Sequence, residues 1–396
     1  MSLAGPYDLV IVGGGLQGCL LAHAVAHHRP AAGVLLVERG SDLCGNHTWS
    51  FHESDIPDHA RAWFDPLVAH RWPGYRVRFP GLSRRVGIPY ATISADRLRA
   101  ATLRLARDVN HRTGGGLVIR TGETCEIVSP TCGRLGDGSQ VAATTVIDCR
   151  GRAAAAGPPR GAGYQSFIGH EFRVGRRWPA AEPTVMDVRE DQASGFEFLY
   201  ELPFGPDRVL LEYTRFGDEP ACDEARAEAL IAARLAEAGV DVTERVRSER
   251  GCLPMPYSAP ARTSDAAVAG GYAGGWYHAA TGYSMPLAVR FADLVARAAP
   301  ERLADELAAA AADDSLRRGF ARFLNRLLFC LVTPRDRWKI FRRFYRVLSE
   351  DRIARFYAHR FTVADAARIV IGRPPSGLAP IRFARSFLSP AGPGLT

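Results

Sequence analysis

The sequence predicts an α/β protein of more than one domain. It should carry a parallel βαβ unit at its N-terminal end, a middle domain built on an antiparallel sheet, and a helical region at its C-terminal end. Three observations predict this. A short apolar run, Asp8-Leu9-Val10-Ile11-Val12, leads into the glycine-rich stretch Gly13 to Gly18. Two runs with alternating faces, Phe196 to Tyr200 and Val209 to Phe216, read as strands. From Leu316 onward the apolar residues recur at helical spacing. The 396 residues are 47% apolar and 23% charged, which excludes a disordered, collagenous or coiled-coil chain. No run reaches the roughly 18–20 apolar residues of a membrane-spanning helix. The first apolar run enters glycines rather than a cleavage site, so no export signal is expected. Eight cysteines contain no Cys-x-x-Cys pair, so no metal site and no disulfide framework are expected, and a cytoplasmic, reducing setting fits.

The N-terminal unit can be justified residue by residue. After the first strand, Gly13-Gly14-Gly15-Leu16-Gln17-Gly18 satisfies G-x-G-x-x-G. A helical pattern through Leu20, Leu21, Ala24 and Val25 follows, and then a second strand, Val34 to Val37, ends in Glu38. Gly13 permits the tight turn, Gly15 lets the backbone approach a pyrophosphate, and Gly18 lets the helix pack close to the sheet. The helix N-terminus offers unpaired N–H groups to phosphate, and Glu38 offers acceptors to ribose hydroxyls. This is a Rossmann-like dinucleotide site, and the fingerprint alone does not choose between FAD and NAD. Two later segments favour FAD. The run Val146-Ile147-Asp148-Cys149-Arg150-Gly151 ends in Asp-x-Arg-Gly, as in flavoproteins of the hydroxylase type. A third apolar strand, Ala266 to Ala269, enters Gly270-Gly271 and leads to Thr281-Gly282-Tyr283-Ser284 before another helix. The expected cofactor residues are therefore Gly13, Gly15, Gly18, Glu38, Asp148, Arg150, Gly151, Gly282, Tyr283 and Ser284.

A more specific pattern begins at Gly45-Asn46-His47-Thr48-Trp49-Ser50-Phe51-His52. It continues through Trp72 to Pro80, Phe167 to Phe172, Met186-Asp187, Leu210 to Thr214, Gly251 to Pro254, His278 to Ser284 and Ile353 to Tyr357. In these motifs the chain resembles the bacterial lycopene β-cyclases of carotenoid biosynthesis. Two departures are visible: Tyr213 follows Glu212 where the family commonly has an acid, and Ala279 follows His278 where it often has proline. The resemblance implies a redox-neutral closure of the linear ends of a polyene such as lycopene into β-rings. It implies bound FAD, active when reduced, with NAD(P)H as reductant only.

That chemistry requires an acid able to protonate an alkene, a dry cavity, and aromatic faces that stabilise a cation without attacking it. Glu212, on a strand face with Leu210, Thr214 and Phe216, suits the acid role, which the resemblance also gives it. Glu171, between apolar neighbours, is the alternative acid, and Asp187 and Glu197 are weaker ones. His47, Trp49, Phe51, Phe196, Phe198 and His278 are expected to line the substrate. Between Arg317 and Arg385, 17 Lys and Arg face four acids, a local balance of +13 on a chain of net charge +8. Two helical patterns there, Leu316 to Leu331 and Trp338 to Leu348, read as basic amphipathic helices for a membrane surface. No motif suggests nucleic acid. The expected domains are a discontinuous FAD-binding domain (1–80, 95–155 and 260–315), a substrate domain (156–259) and a basic helical region (316–396). Rival readings on the same scaffold are a flavin monooxygenase, an isoprenoid-chain reductase and a non-enzymatic carotenoid-binding flavoprotein.

Overall fold

A computed structural model describes residues 7–113, 116–151, 161–189, 192, 195–258, 268–372 and 376–388. Ala266 and Ala267, the start of the expected third strand, lie outside the described residues. So do the outer ends of several of the expected domain ranges.

The N-terminal unit folds as its sequence dictates. Tyr7–Val12 is a buried strand, Leu16–His28 a helix and Val34–Glu38 the next strand, and the two strands pair in parallel. Leu117–Thr121 pairs with Val34–Glu38 on one side. Gln140–Asp148 pairs with Tyr7–Val12 on the other, and the short Val268–Ala269 strand pairs with its end. All four ladders are parallel, and both faces of the sheet are covered, which is why the strands are continuous apolar runs rather than alternating ones. The Leu16–His28 and Met285–Arg297 helices lie together over one face, burying Leu20, Val25, Leu287 and Phe291 with Leu9, Ile11 and Leu36.

The second sheet has seven strands. In order across it they are Val242–Pro256, Ala162–Val174, Arg208–Gly217, Phe196–Pro203, Thr184–Asp187, Tyr75–Phe79 and Leu82–Val86. Its pairings are antiparallel except that of Thr184–Asp187 with Tyr75–Phe79. Alternation divides its residues cleanly. Ile168, Phe172, Leu199, Leu211 and Tyr213 face the Glu224–Ala238 helix, whereas Phe196, Phe198, Leu210 and Phe216 face the opposite way. The Tyr75–Phe79 strand falls within the 1–80 range expected for the nucleotide domain, yet it belongs to this sheet. Its main chain, with Arg76, Val77 and Arg78 beside Thr184, Met186 and Asp187, joins the Leu82–Val86 edge strand to the sheet. Sequence distance gave no sign of that parallel pairing.

The C-terminal helices form a layer over the second sheet. Ser315–Arg326, Trp338–Val347, Glu350–Tyr357, Val363–Val370 and Pro380–Leu388 are helical. The layer is pinned by Arg337, which is wholly buried. Its guanidinium donates to the carbonyls of Phe216, Leu328 and Phe329 and pairs with Asp218 at 2.5 Å. This arrangement differs from the sequence expectation. The apolar faces read as facing lipid, including Leu328, Phe341, Tyr345 and Leu348, are packed against the sheet. An amphipathic period specifies that a helix has an apolar partner, not which one.

Candidate active site

Three distant segments converge at the glycine-rich turn. Gly13 has φ +111°, and a Cβ there would lie 2.6 Å from the Cys149 carbonyl. A Cβ at Gly18 would lie 2.0 Å from the Gly13 oxygen. At Gly15, by contrast, a Cβ would meet nothing within 4 Å, so the backbone is open where a phosphate must approach. No side chain caps the Leu16–His28 helix, which leaves its first amides free for an anion. The Glu38 carboxylate is set beside the turn by the amides of Gly14 and Gly40, each at 2.7 Å. Asp148 is clasped by Arg150 through Nε and Nη2 at 2.9 and 2.7 Å, and Gly151 turns the chain at φ +73°. Gln17 ties the third segment in, accepting from the Gly271 amide and donating to the Ala288 carbonyl. Ser284 stands at the start of the Met285–Arg297 helix. These groups fit a dinucleotide: an open backbone, a free helix start and a carboxylate for ribose.

The second sheet meets this unit along the face that carries Glu212. Glu212 and Glu249 come from strands on opposite sides of Ala162–Val174, and both are paired with Gly169. With no side chain at Gly169, the two carboxyls meet over it and are hydrogen-bonded. Burial, then the charge of Glu249, pushes the Glu212 carboxyl well above its ordinary range. Thr214 donates to Glu212 Oε1 at 2.8 Å. Glu249 Oε2 accepts from Arg247 at 2.7 Å and from Thr48 at 3.1 Å. Arg247 also holds Glu171 at 2.5 Å, and Arg208 pairs with the other Glu171 oxygen. His47 stands over the same face, its ring 6.3 Å from Phe167, and burial lowers its basicity.

Beside Glu212 lies a cavity walled by residues of the second sheet, the C-terminal helices and the nucleotide unit. Its walls are mostly aromatic, with Tyr75, Tyr90, Tyr200, Tyr283, Tyr345 and Tyr357 the principal ones and Phe216, Phe341, His52 and Gln165 between them. Tyr200 is the cross-strand partner of Glu212, and Phe216 is on its face of the strand, so the acid stands at the cavity's edge. Tyr283 donates to Asp55 and accepts from the His52 amide at 2.7 Å. Asp55 is buried, and desolvation raises its pKa to about 7. The other Asp55 oxygen has no hydrogen-bond partner among the described residues. Burial likewise lowers His52 to about 3, so its imidazole is neutral, within reach of the Tyr75 hydroxyl at 3.1 Å.

Comparison with known proteins places this geometry. Residues 8–383 match the model of the lycopene cyclase protein family. The chain is 36% identical to the lycopene beta-cyclase of Pseudescherichia vulneris, over 93% of this chain and 94% of that protein. It is 35% identical to the lycopene beta-cyclase of Pantoea ananas, over 93% and 95%. The chain belongs to the lycopene cyclase family. Among solved structures it is similar to the flavin-dependent brominase Bmp2, with TM-score 0.63 and 14% identity over 92% of this chain and 97% of that one. It is also similar to a protein described as a probable FAD-dependent monooxygenase from Pseudomonas aeruginosa, with TM-score 0.60 and 19% identity over 85% and 98%. The fold is thus that of the flavoprotein hydroxylases, with a helical C-terminal region.

Within this family fold, the residues expected from sequence divide into three groups. Gly13, Gly15, Gly18, Glu38, Asp148, Arg150 and Gly151 stand at or beside the glycine-rich turn, and Ser284 opens the helix packed against Leu16–His28, whereas Gly282 abuts Leu253 and Gln165 of the second sheet. Tyr283 differs from its expected cofactor role, since its hydroxyl is committed to Asp55 and its ring lines the cavity. Glu171 is brought to the acid's face, but both its oxygens are taken by guanidinium groups, which makes it an anchor for Arg247. Glu197 and Asp187 also pair with arginines, Arg226 and Arg189 respectively. Trp49 is half-buried beside His47, with its ring 6.2 Å away. Four expected lining residues are core instead. Phe51 packs on Phe64 inside the nucleotide unit, because it alternates with His52, which takes the cavity side. Phe196 and Phe198 back the cavity wall and stack in the sheet core. His278 is fully buried against Phe356 and His359, where the 278–284 loop meets the C-terminal layer. Sequence reasoning missed Glu249, Tyr90 and the cavity position of Tyr345, whereas Tyr75 and Tyr357 lie within the motifs it singled out, Tyr200 on the aromatic strand face beside Glu212, and Tyr283 among the residues expected at the site.

The displaced Asp55 carboxyl makes stability depend on pH. Folded Asp55 keeps its proton up to about pH 7, whereas its ordinary value is 3.8, so the folded state holds an extra proton between them. Stability contributed at this site therefore falls as pH rises through that window and levels off above it. Asp55→Asn removes the penalty. Denaturant unfolding should show the variant gaining on the order of a few kcal/mol over the parent at pH 7.5, with the gain vanishing near pH 4. Parallel pH curves for the two proteins would contradict a raised Asp55.

Proposed function

We propose that the protein closes the linear ψ-ends of lycopene into β-rings without net redox change, an isomerase (intramolecular lyase) reaction initiated by Glu212. The observation that carries this reading is a carboxyl kept protonated by burial at the edge of an aromatic cavity, in a chain of the lycopene cyclase family. A carboxyl with a raised pKa stays protonated at neutral pH, so it holds the proton that the polyene must receive. Glu212 gives its proton to the terminal double bond, a C–H bond forms, and the O–H electron pair stays on the carboxylate. The tertiary cation closes on the neighbouring double bond. Loss of a ring proton to a carboxylate restores both the double bond and the acid. The tyrosine and phenylalanine faces lower the energy of the cation without supplying a nucleophile, and the closed wall excludes the water that would quench it.

The Gly13–Gly18 turn, Glu38 and the Asp148–Gly151 turn would hold FAD. Reduced and bound there, it would supply negative charge to the site. NAD(P)H then serves as a reductant and is not consumed in proportion to product. The monooxygenase and reductase readings share the fold, and product mass separates them: unchanged for cyclisation, increased by oxygen or by hydrogen for the rivals. Gly15→Val would fill the open approach to the turn. The purified variant should be colourless, with flavin content below about a tenth of the parent's, a loss corresponding to more than ~1.4 kcal/mol of binding. A yellow, fully loaded variant would move the cofactor elsewhere.

Association with a membrane surface is supported by the C-terminal layer, although not by the faces expected from sequence. Val363, Ile371, Ile381 and Phe387 remain between 61% and 85% exposed in an arginine-rich region. No helix of the described residues is long and apolar enough to cross a membrane. Replacing Ile371, Ile381 and Phe387 with aspartate should abolish cosedimentation with anionic liposomes while flavin content stays unchanged. Undiminished sedimentation would place the contact on another surface.

Glu212→Gln keeps size and polarity and removes the acid. Under anaerobic conditions with dithionite-reduced flavin, cyclisation should fall by at least about 10²–10⁴, while flavin and polyene binding persist. Glu212→Asp should recover little, because the shorter side chain displaces the proton by about an ångström. Cyclisation by Glu212→Gln within tenfold of the parent would remove Glu212 from the acid role.

A further inference from the structure

The acid is not alone on its face of the sheet. Gly169, in the strand between them, is the register partner of both Glu212 and Glu249. A Cβ at Gly169 would lie 3.1 Å from Glu249 Cγ and 3.2 Å from Glu212 Cβ, so glycine is what allows the two side chains to close over the strand. The two carboxyls are held differently. Glu249 Oε2 takes a charged hydrogen bond from Arg247 and one from Thr48, which fixes negative charge on Glu249. Among the described residues, Glu212 has only the neutral hydroxyl of Thr214 besides Glu249 itself. Two carboxyls in contact cannot both be ionised without a large repulsion, so one proton is shared between them, and the arginine decides which side holds it less.

We propose that Glu249 is a positioning residue for the reaction: anchored by Arg247 and Thr48, it accepts the hydrogen bond of protonated Glu212 across Gly169 and so keeps the acid loaded and oriented at the cavity edge. This rests on the reading of Glu212 as the initiating acid. The groups facing the pair come from every neighbouring element. They are Arg247 on Glu249's own strand, Thr214 on that of Glu212, Glu171 on the central strand, His47 and Thr48 at the start of the overlying Thr48–His52 strand, and Tyr90 and Tyr200 on the cavity side. Among them only Arg247 carries a positive charge directly on the pair, and it is spent on Glu249 and Glu171.

The sign of the effect follows. Removing the Glu249 charge removes a term that raises Glu212, so Glu212 ionises at lower pH and the acid form is lost earlier as pH rises. The test is the pH profile of cyclisation by the flavin-loaded, dithionite-reduced protein, measured for the parent, Glu249→Gln, Glu249→Asp and Gly169→Ala. For Glu249→Gln the alkaline limb should move down by about one unit or more, a loss of about tenfold on that limb, with KM unchanged and activity recovering toward acid pH. Glu249→Asp should move it less. Gly169→Ala presses a methyl against the side-chain stems of both glutamates, which must part by a few tenths of an ångström, and should reproduce the shift, so it carries the test if Glu249→Gln does not fold. The infrared carbonyl band of the protonated carboxyl, absent in Glu212→Gln, should shift in both Glu249→Gln and Gly169→Ala. An unchanged profile and band in these two variants would overturn the proposal. Glu212→Gln in the same assay separates the two readings. If it stays active, the acid is misassigned. If it is inactive while Glu249→Gln and Gly169→Ala keep the parent profile, only the role of Glu249 fails.

Discussion

Desolvation of one carboxyl group is the constraint on which the rest of the site depends. A carboxylic acid in water gives its proton to water, and an alkene is a far poorer base. As the proposed acid, Glu212 is shielded from much of that competition, its side chain part-buried between packed layers. The antiparallel sheet stands behind it, the aromatic cavity in front, and the C-terminal helices over the top. The helices are therefore structural partners of the chemistry, since Phe341, Tyr345 and Tyr357 come from them. Arg337, buried beneath the layer with three backbone carbonyls and Asp218 as partners, holds that roof to the strand that carries Glu212.

The two halves of the site are joined by short polar links rather than by one domain interface. Tyr283 sits one residue before the Ser284 that opens the Met285–Arg297 helix, and its hydroxyl reaches Asp55 and the His52 amide. His52 in turn reaches Tyr75, on the hairpin that the nucleotide half lends to the second sheet. A shift in the Thr281–Ser284 loop is thus transmitted directly to the cavity wall. Burying this many polar atoms is tolerable because most find a partner; Asp55 Oδ1 and Gln165 Oε1, which have none among the described residues, belong to residues at or beside the cavity.

How much of this was legible depended on how local each cause was. The three glycines and Glu38 were readable because their reasons, a positive φ, an open approach and a close helix, act within one βαβ unit. Glu212 was readable because alternation along one strand fixes its face. Glu249 was not, since its meeting with Glu212 depends on two strands pairing with the same glycine from opposite sides, a long-range fact no periodicity encodes. The C-terminal helices show the same limit. Their apolar stripes were evident, but a stripe that packs on protein looks like one that packs on lipid. His278 and Phe51 lie in distinctive motifs and proved to be core, because a motif marks constraint without saying whether packing or chemistry imposes it.

Charge balance gives the arrangement of acids its sense. On the face around Gly169, Glu171 and Glu249 oppose Arg208 and Arg247, so with Glu212 protonated the cluster carries no net charge. A polyene end can then enter without facing a field that would hold water in the cavity. Once Glu212 releases its proton, as proposed, the same cluster carries one negative charge beside a newly formed cation. The attraction thus arises only as the cation forms, which is the condition for lowering a barrier rather than merely tightening binding. A permanently ionised acid at position 212 would forfeit this, since its attraction would precede the chemistry and it would have no proton to give. The neutral resting state of Glu212, and the arginines spent on its neighbours rather than on it, are two parts of one electrostatic requirement.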